Sequence, residues 1–231
     1  MRTIALETTE LAGSIAAFSD AKLLTEITLD PHGRSAKSIA PGLVRLWQTL
    51  EWRPTEVDLV ALTVGPGSFT GLRVGVTTAK LLAYAAGAEV LGVDTLQTIA
   101  ERAPAEVEAV SVAVDAQRGQ VVSRCFRRDA SGLMVPEGPS AMLDVDIWFD
   151  RVPERAWIVG PALRKWAERI PGSLRSRTLE PSCWGATAEA VGRLAIREYA
   201  AGRRDDPWTL VPHYSRRAAA EEKRERIEDK R

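Results

Sequence analysis

Gly65–Pro66–Gly67–Ser68–Phe69–Thr70–Gly71–Leu72–Arg73 places three glycines within seven residues, directly after the apolar run Leu59–Val64. Glycines between a strand and a helix can cradle phosphate, because backbone N–H groups reach the anion where no side chain intervenes. The spacing argues against that chemistry here. A Walker loop needs lysine directly after its last glycine, and no Gly-Lys pair occurs in the chain. The dinucleotide pattern GxGxxG fails by one residue, since Gly65 and Gly67 are followed by Gly71. Read mechanically, Gly65–Pro66–Gly67 makes a tight turn, and Ser68 or Thr70 caps the helix that follows. Within that helix Gly71, Gly75 and Ala79 recur every four residues, with Thr78, Ala83 and Ala86 nearby. A stripe of small residues admits close backbone approach, either to this chain's own sheet or to a helix of another chain.

Two carboxylates stand at comparable places. Ile4–Ala5–Leu6 ends in Glu7, followed by Thr8 and Thr9, and Val112–Ala113–Val114 ends in Asp115. Facing each other across a cleft, they could hold a metal–phosphate. Strand-end carboxylates equally often bond the amides of their own loops. Other catalytic sets are thin. His32 and His213 are far apart and lack metal-ligand spacing, and neither HExxH nor GxSxG occurs. Cys125 and Cys183 have no CxxC spacing and read as buried, reduced thiols.

The elements that must position these residues follow from periodicity. Thr3–Leu6, Ser14–Phe18 and Leu23–Ile27 read as strands, the last two joined at Ser19–Asp20. Ile39, Leu43, Leu46, Trp47 and Leu50 recur at helical spacing. Leu59–Val64 does not alternate, which suits a strand buried on both faces. A helix over Thr70–Ala86 is closed by Gly87, and Val90–Val93 is a strand. Asp94–Thr95–Leu96–Gln97 has the form of a capping box. Ala103–Glu106 reads as a connection. Beyond it the order strand, carboxylate, turn, glycine, strand returns, with Asp115 and Gly119 answering Glu7 and Gly13. That recurrence predicts two related α/β lobes facing each other, over 1–103 and 104–200. Trp157–Gly160 is a strand into a turn, with helices at Ala162–Arg169 and Ala186–Ala200. Residues 201–231 form an extension whose end, from Arg216, is a mixed-sign charged tail.

The chain balances 31 basic against 31 acidic residues, so no global field attracts nucleic acid or membrane. The sequence runs from Met1 straight into a strand pattern, and no uncharged apolar run reaches the ~20 residues of a membrane span. A soluble, cytoplasmic protein is expected.

The run from Val64 to Leu96, "VGPGSFTGLRVGVTTAKLLAYAAGAEVLGVDTL", resembles the TsaB family, also called YeaZ. The likeness extends to "IALETTELAGSIAAF", "VSVAVDAQRGQVV" and, weakly, "LVPHYSRR". The resemblance implies a two-lobed actin/Hsp70/sugar-kinase-like (ASKHA) fold built from two ribonuclease-H-like lobes. It also implies a non-catalytic relative of TsaD in the synthesis of threonylcarbamoyladenosine in tRNA, one that binds TsaD and recruits TsaE. On that reading this chain has no cofactor of its own, ATP and metal being used by partner subunits, and meets tRNA only within the complex. TsaD holds metal with an HxxxH pair, and the corresponding Ser35–Pro41 stretch has no histidine. Where family members usually carry aspartate, this chain has Glu7, which makes Glu7, Thr8, Thr9 and Asp115 a vestigial nucleotide cleft. The resemblance assigns the partner surface, for TsaD or a second copy, to Leu43, Trp47, Gly71, Gly75, Thr78 and Ala79. Gly65, Pro66, Gly67, Ser68, Phe69, Thr70 and Arg73 then form the turn and cap that place it. A glycoprotease-like peptidase and a weak ATPase are the alternative functions.

Overall fold

The computed structural model describes residues 1–32 and 34–216. The expected charged tail therefore lies outside the described residues, apart from Arg216 at its start.

Two sheets organise the chain. The first joins β1 (Arg2–Glu7), β2 (Ser14–Ser19), β3 (Lys22–Thr28), β4 (Leu59–Gly65) and β5 (Glu89–Asp94) in the order β3-β2-β1-β4-β5. β1, β2 and β3 are antiparallel neighbours, while β4 runs parallel to both β1 and β5. Every residue of β4 is buried, as its unbroken apolar run predicts. The second sheet joins β6 (Ala109–Asp115), β7 (Gln120–Arg128), β8 (Met134–Asp144) and β9 (Trp157–Val159) in the order β8-β7-β6-β9. Its first three strands are again antiparallel, and β9 is parallel to β6. The recurrence in the sequence is thus a recurrence of topology: hairpin, third antiparallel strand, then a parallel crossover on the other side of the first strand. The fold is mixed α/β with two lobes.

α1 (Arg34–Leu50) and α2 (Phe69–Ala86) cover one face of the first sheet. Ile39, Leu43, Leu46, Val76, Ala79 and Ala83 meet Ile4, Leu6, Ile15, Val60 and Leu62 there. Alternate strand residues point the other way, as a period of two requires. Ala5, Ala16, Phe18, Ala61 and Leu91 pack against Val191, Leu194 and Ala195 of α7 (Ala188–Ala200). Conversely, α3 (Thr95–Ala100) places Leu96, Ile99 and Ala100 on Val110, Val112 and Phe126 of the second sheet. The lobes therefore exchange helices. The expected division at residues 103 and 200 is corrected accordingly, since a helix follows its apolar face rather than its place in the chain. The other face of the second sheet is covered by α4 (Val145–Arg151), α5 (Ala162–Trp166) and α6 (Gly172–Arg175). The helix expected over Ala162–Arg169 ends at Trp166 and continues only as a 3₁₀ turn. The last helix starts at Ala188 instead of Ala186, after its cap Thr187.

The Asp94 box is half formed. Its carboxylate accepts from the Gln97 N–H at 2.9 Å, but the Gln97 amide donates to the Met134 carbonyl and so ties α3 to β8. Cys125 and Cys183 are free and only half-buried. None of the helices among the described residues is long and apolar enough to cross a membrane.

Candidate interaction surface and inter-lobe cleft

The motif begins where β4 ends. Gly65 adopts φ of 128°, open to glycine and strained for other residues, and a Cβ there would overlap the carbonyl oxygen of His213. Ser68 is the N-cap of α2, its hydroxyl accepting from the Gly71 N–H at 3.2 Å. Arg73 lies over the Phe69 ring at 4.1 Å and donates to the Tyr214 hydroxyl at 2.8 Å.

The small stripe serves the chain itself. A Cβ on Gly71 would overlap the backbone oxygen of Thr8 and lie 3.0 Å from its carbonyl carbon. A Cβ on Gly75 would overlap the Thr8 hydroxyl, which donates to the Gly71 carbonyl at 2.8 Å. Ala79 and Leu43 are buried in the core of the first lobe, and Trp47 is half-buried against it. Of the six residues assigned to a partner surface, Leu43, Gly71, Gly75 and Ala79 are thus corrected to internal packing, and only Trp47 and Thr78 are partly exposed. The spacing announced a close approach, and the turn after β1 is what approaches.

The opposite side of the same helices faces solvent. Leu81 and Tyr84 of α2 are 65% and 79% exposed, and Val44 of the adjoining α1 is 53% exposed. Sequence reasoning passed over all three. Their signal was present, since Arg73, Thr77, Leu81 and Tyr84 recur at helical spacing on the side away from the glycines.

Between the lobes lies a cleft of about 800 Å³. Thr9, Glu10 and Leu11 contribute from one hairpin, Asp115, Ala116 and Gln117 from the other, with Pro66–Thr70 and Tyr214–Arg216 along one side. Glu7 does not line it. The Glu7 carboxylate is fully buried, accepts from the Thr9 N–H at 2.6 Å and from the Thr9 hydroxyl, and reaches the Glu10 N–H at 3.4 Å. Burial pushes its pKa up to about 7 against the pull of the Thr9 hydroxyl. Asp115 does line the cleft, where it accepts from the Gln117 N–H at 3.1 Å and pairs with Lys165 at 3.0 Å. Beside it Arg164 pairs with Glu10, linking α5 in one lobe to the β1–β2 turn in the other. The strand-end acids therefore bond the amides of their own loops. This arrangement does not fit a metal–phosphate, because one carboxylate is turned inward and the other is neutralised by lysine. Among the described residues no group of three or more His, Cys, Asp and Glu is placed to hold a metal ion. Glu10, Gln117, Arg164, Lys165 and Tyr214 were not anticipated as cleft residues.

The chain is similar to known proteins in sequence and in fold. The family model for TsaD, tRNA N6-adenosine threonylcarbamoyltransferase, matches residues 31–133. The tRNA threonylcarbamoyladenosine biosynthesis protein TsaB of Escherichia coli is 31% identical over 173 residues, covering 73% of this chain and 74% of that protein. This chain belongs to the TsaB family. The TsaB of Bacillus subtilis is 27% identical over 67% of each chain. A crystal structure from Pseudomonas aeruginosa, described as an uncharacterized protein with similarity to peptidase YeaZ, superposes with a TM-score of 0.79 at 28% identity. It covers 93% of this TsaB-family chain and 99% of its own.

Proposed function

We propose that this chain is a non-catalytic scaffold subunit of the bacterial machinery that makes N6-threonylcarbamoyladenosine in tRNA, the process for which its relatives are named. It pairs with TsaD through the outer face of α1 and α2, and the pair recruits TsaE. ATP and metal are handled by the partner subunits, and tRNA is held by the assembled cytoplasmic complex. Without TsaD, the same face pairs two copies of this chain. The fold is read as the actin/Hsp70/sugar-kinase type, with two ribonuclease-H-like lobes, and the strand order shared by both sheets supports that reading.

The observation that carries the scaffold reading is the two-sidedness of α2. Its glycines are taken up by the chain's own turn, while Leu81 and Tyr84 stand exposed on the other side. Large apolar side chains of this kind are the usual anchors of protein interfaces. The test is co-purification with TsaD from the same organism. Leu81→Asp with Tyr84→Asp is expected to weaken binding about 100-fold, roughly 2.7 kcal/mol, without lowering thermal stability. Unchanged binding by the double variant would refute the assignment of this face.

A further inference from the structure

After α7 the described chain has a fixed root and then, at Tyr214–Arg216, contacts that cross between the lobes. At the root, Asp205 bridges Val90 on edge strand β5, and its carboxylate accepts from the Gly92 N–H at 2.8 Å. Arg203 donates to the Gly92 carbonyl at 2.6 Å and pairs with Asp205 at 3.0 Å. Leu210 packs on the core of the first lobe. The His213 N–H donates to the Val64 carbonyl at 2.7 Å, in the passage that Gly65 leaves open.

Beyond that point the contacts reach the surface and change lobes. Tyr214, 40% exposed, lies 4.7 Å from the Phe69 ring and accepts from Arg73, all on the first lobe. Two residues later Arg216 donates to Gln120 on β7 and approaches the Met142 sulfur on β8 at 3.6 Å, both on the second lobe. Tyr214, Ser215 and Arg216 themselves line the cleft. Three consecutive residues thus span the two lobes along the motif side of the opening.

We propose that Tyr214–Arg216 is a clasp: the hinged end of a C-terminal strap, which closes the motif side of the cleft and opens by releasing Arg73 and Gln120 together. The root keeps its backbone and core contacts when the end lifts, so opening does not require unfolding of the strap. Opening withdraws the Tyr214 ring from Phe69 and Arg73, which are already exposed, and widens access to the wall formed by Asp115–Gln117. This inference stands on intramolecular contacts alone and does not depend on the function proposed above.

Hydrogen exchange read by mass spectrometry on the full chain tests it. The readout is coupling between the two ends. Arg216→Ala removes the bond to Gln120 in the second lobe, and a clasp then also loosens on the first lobe. Exchange is expected to accelerate at least tenfold both in residues 117–122 and in residues 66–73. Tyr214→Ala is expected to give the same paired response from the other end, and Arg216→Gln, a milder change, the same pattern with smaller amplitude. Acceleration confined to the neighbourhood of each substitution, or none in either segment, would overturn the proposal and leave these contacts as local packing.

Discussion

Gly71→Ala tests most directly which surface the motif glycines serve. A Cβ at this position overlaps the Thr8 carbonyl oxygen and lies 3.0 Å from the carbonyl carbon, whereas carbons settle about 3.5–4.0 Å from their neighbours. The obstacle is backbone in a buried turn rather than a side chain that can rotate away. α2 or the turn after β1 must shift by about 1 Å, and overpacking of this sort costs about 1–3 kcal/mol. The shift also stretches the 2.8 Å bond from the Thr8 hydroxyl to the Gly71 carbonyl, worth about 1 kcal/mol and more if either group is left buried and unpaired. Alanine returns at most about 1 kcal/mol through its better helix propensity. The net expectation is a loss of about 2–3 kcal/mol, read as a lowered urea midpoint at constant m-value. Gly75→Ala presses on the Thr8 hydroxyl instead of backbone, so it is expected to cost less. If Gly71→Ala left stability within about 0.5 kcal/mol of the parent while abolishing TsaD binding, the glycines would face a partner after all.

Glu7→Gln should separate from the parent as pH rises. Glu7 titrates near 7 in the fold against an ordinary 4.5, so the folded chain holds this proton more tightly than the unfolded one. The favourable contribution is complete below pH 4.5 and is lost through pH 7, a change of about 3 kcal/mol. Unfolding at pH 4.5 and pH 8 should show the variant gaining that much relative to the parent, and a pH-independent difference would contradict it. Arg164→Ala should cost about 1 kcal/mol or less, because the guanidinium is half exposed. The loss should shrink in high salt, and a salt-independent loss of several kcal/mol would mean that the Arg164–Glu10 link does more than pair charges.

Much of this architecture was legible because it is written in local pattern. The unbroken run Leu59–Val64 announced a doubly covered strand, Ser68 its helix, and the recurring strand-end acids the paired hairpins. What escaped is information that no single segment carries. Leu96, Ile99 and Ala100 declare an apolar face but not which sheet receives it, so the exchange of α3 and α7 stayed hidden. β8 was not anticipated, and it carries Pro136, Gly138 and Pro139, which an edge strand tolerates. The stripe Gly71, Gly75, Ala79 specified a close contact without naming its other side. Spacing fixes a distance of approach, and only the packed chain says to what.

The two strand-end acids resolve the same ambiguity in chemistry. Each accepts a hydrogen bond from the amide two residues further on, Glu7 from Thr9 and Asp115 from Gln117. The shared role is to hold the turn between paired strands, and it explains the recurrence without invoking a ligand. The environments then diverge. Asp115 sits at the cleft with a lysine against it. Glu7, fully buried, meets no cation among the described residues, and burial raises its pKa instead. A carboxylate that must stay charged to bind a cation is poorly served by that position.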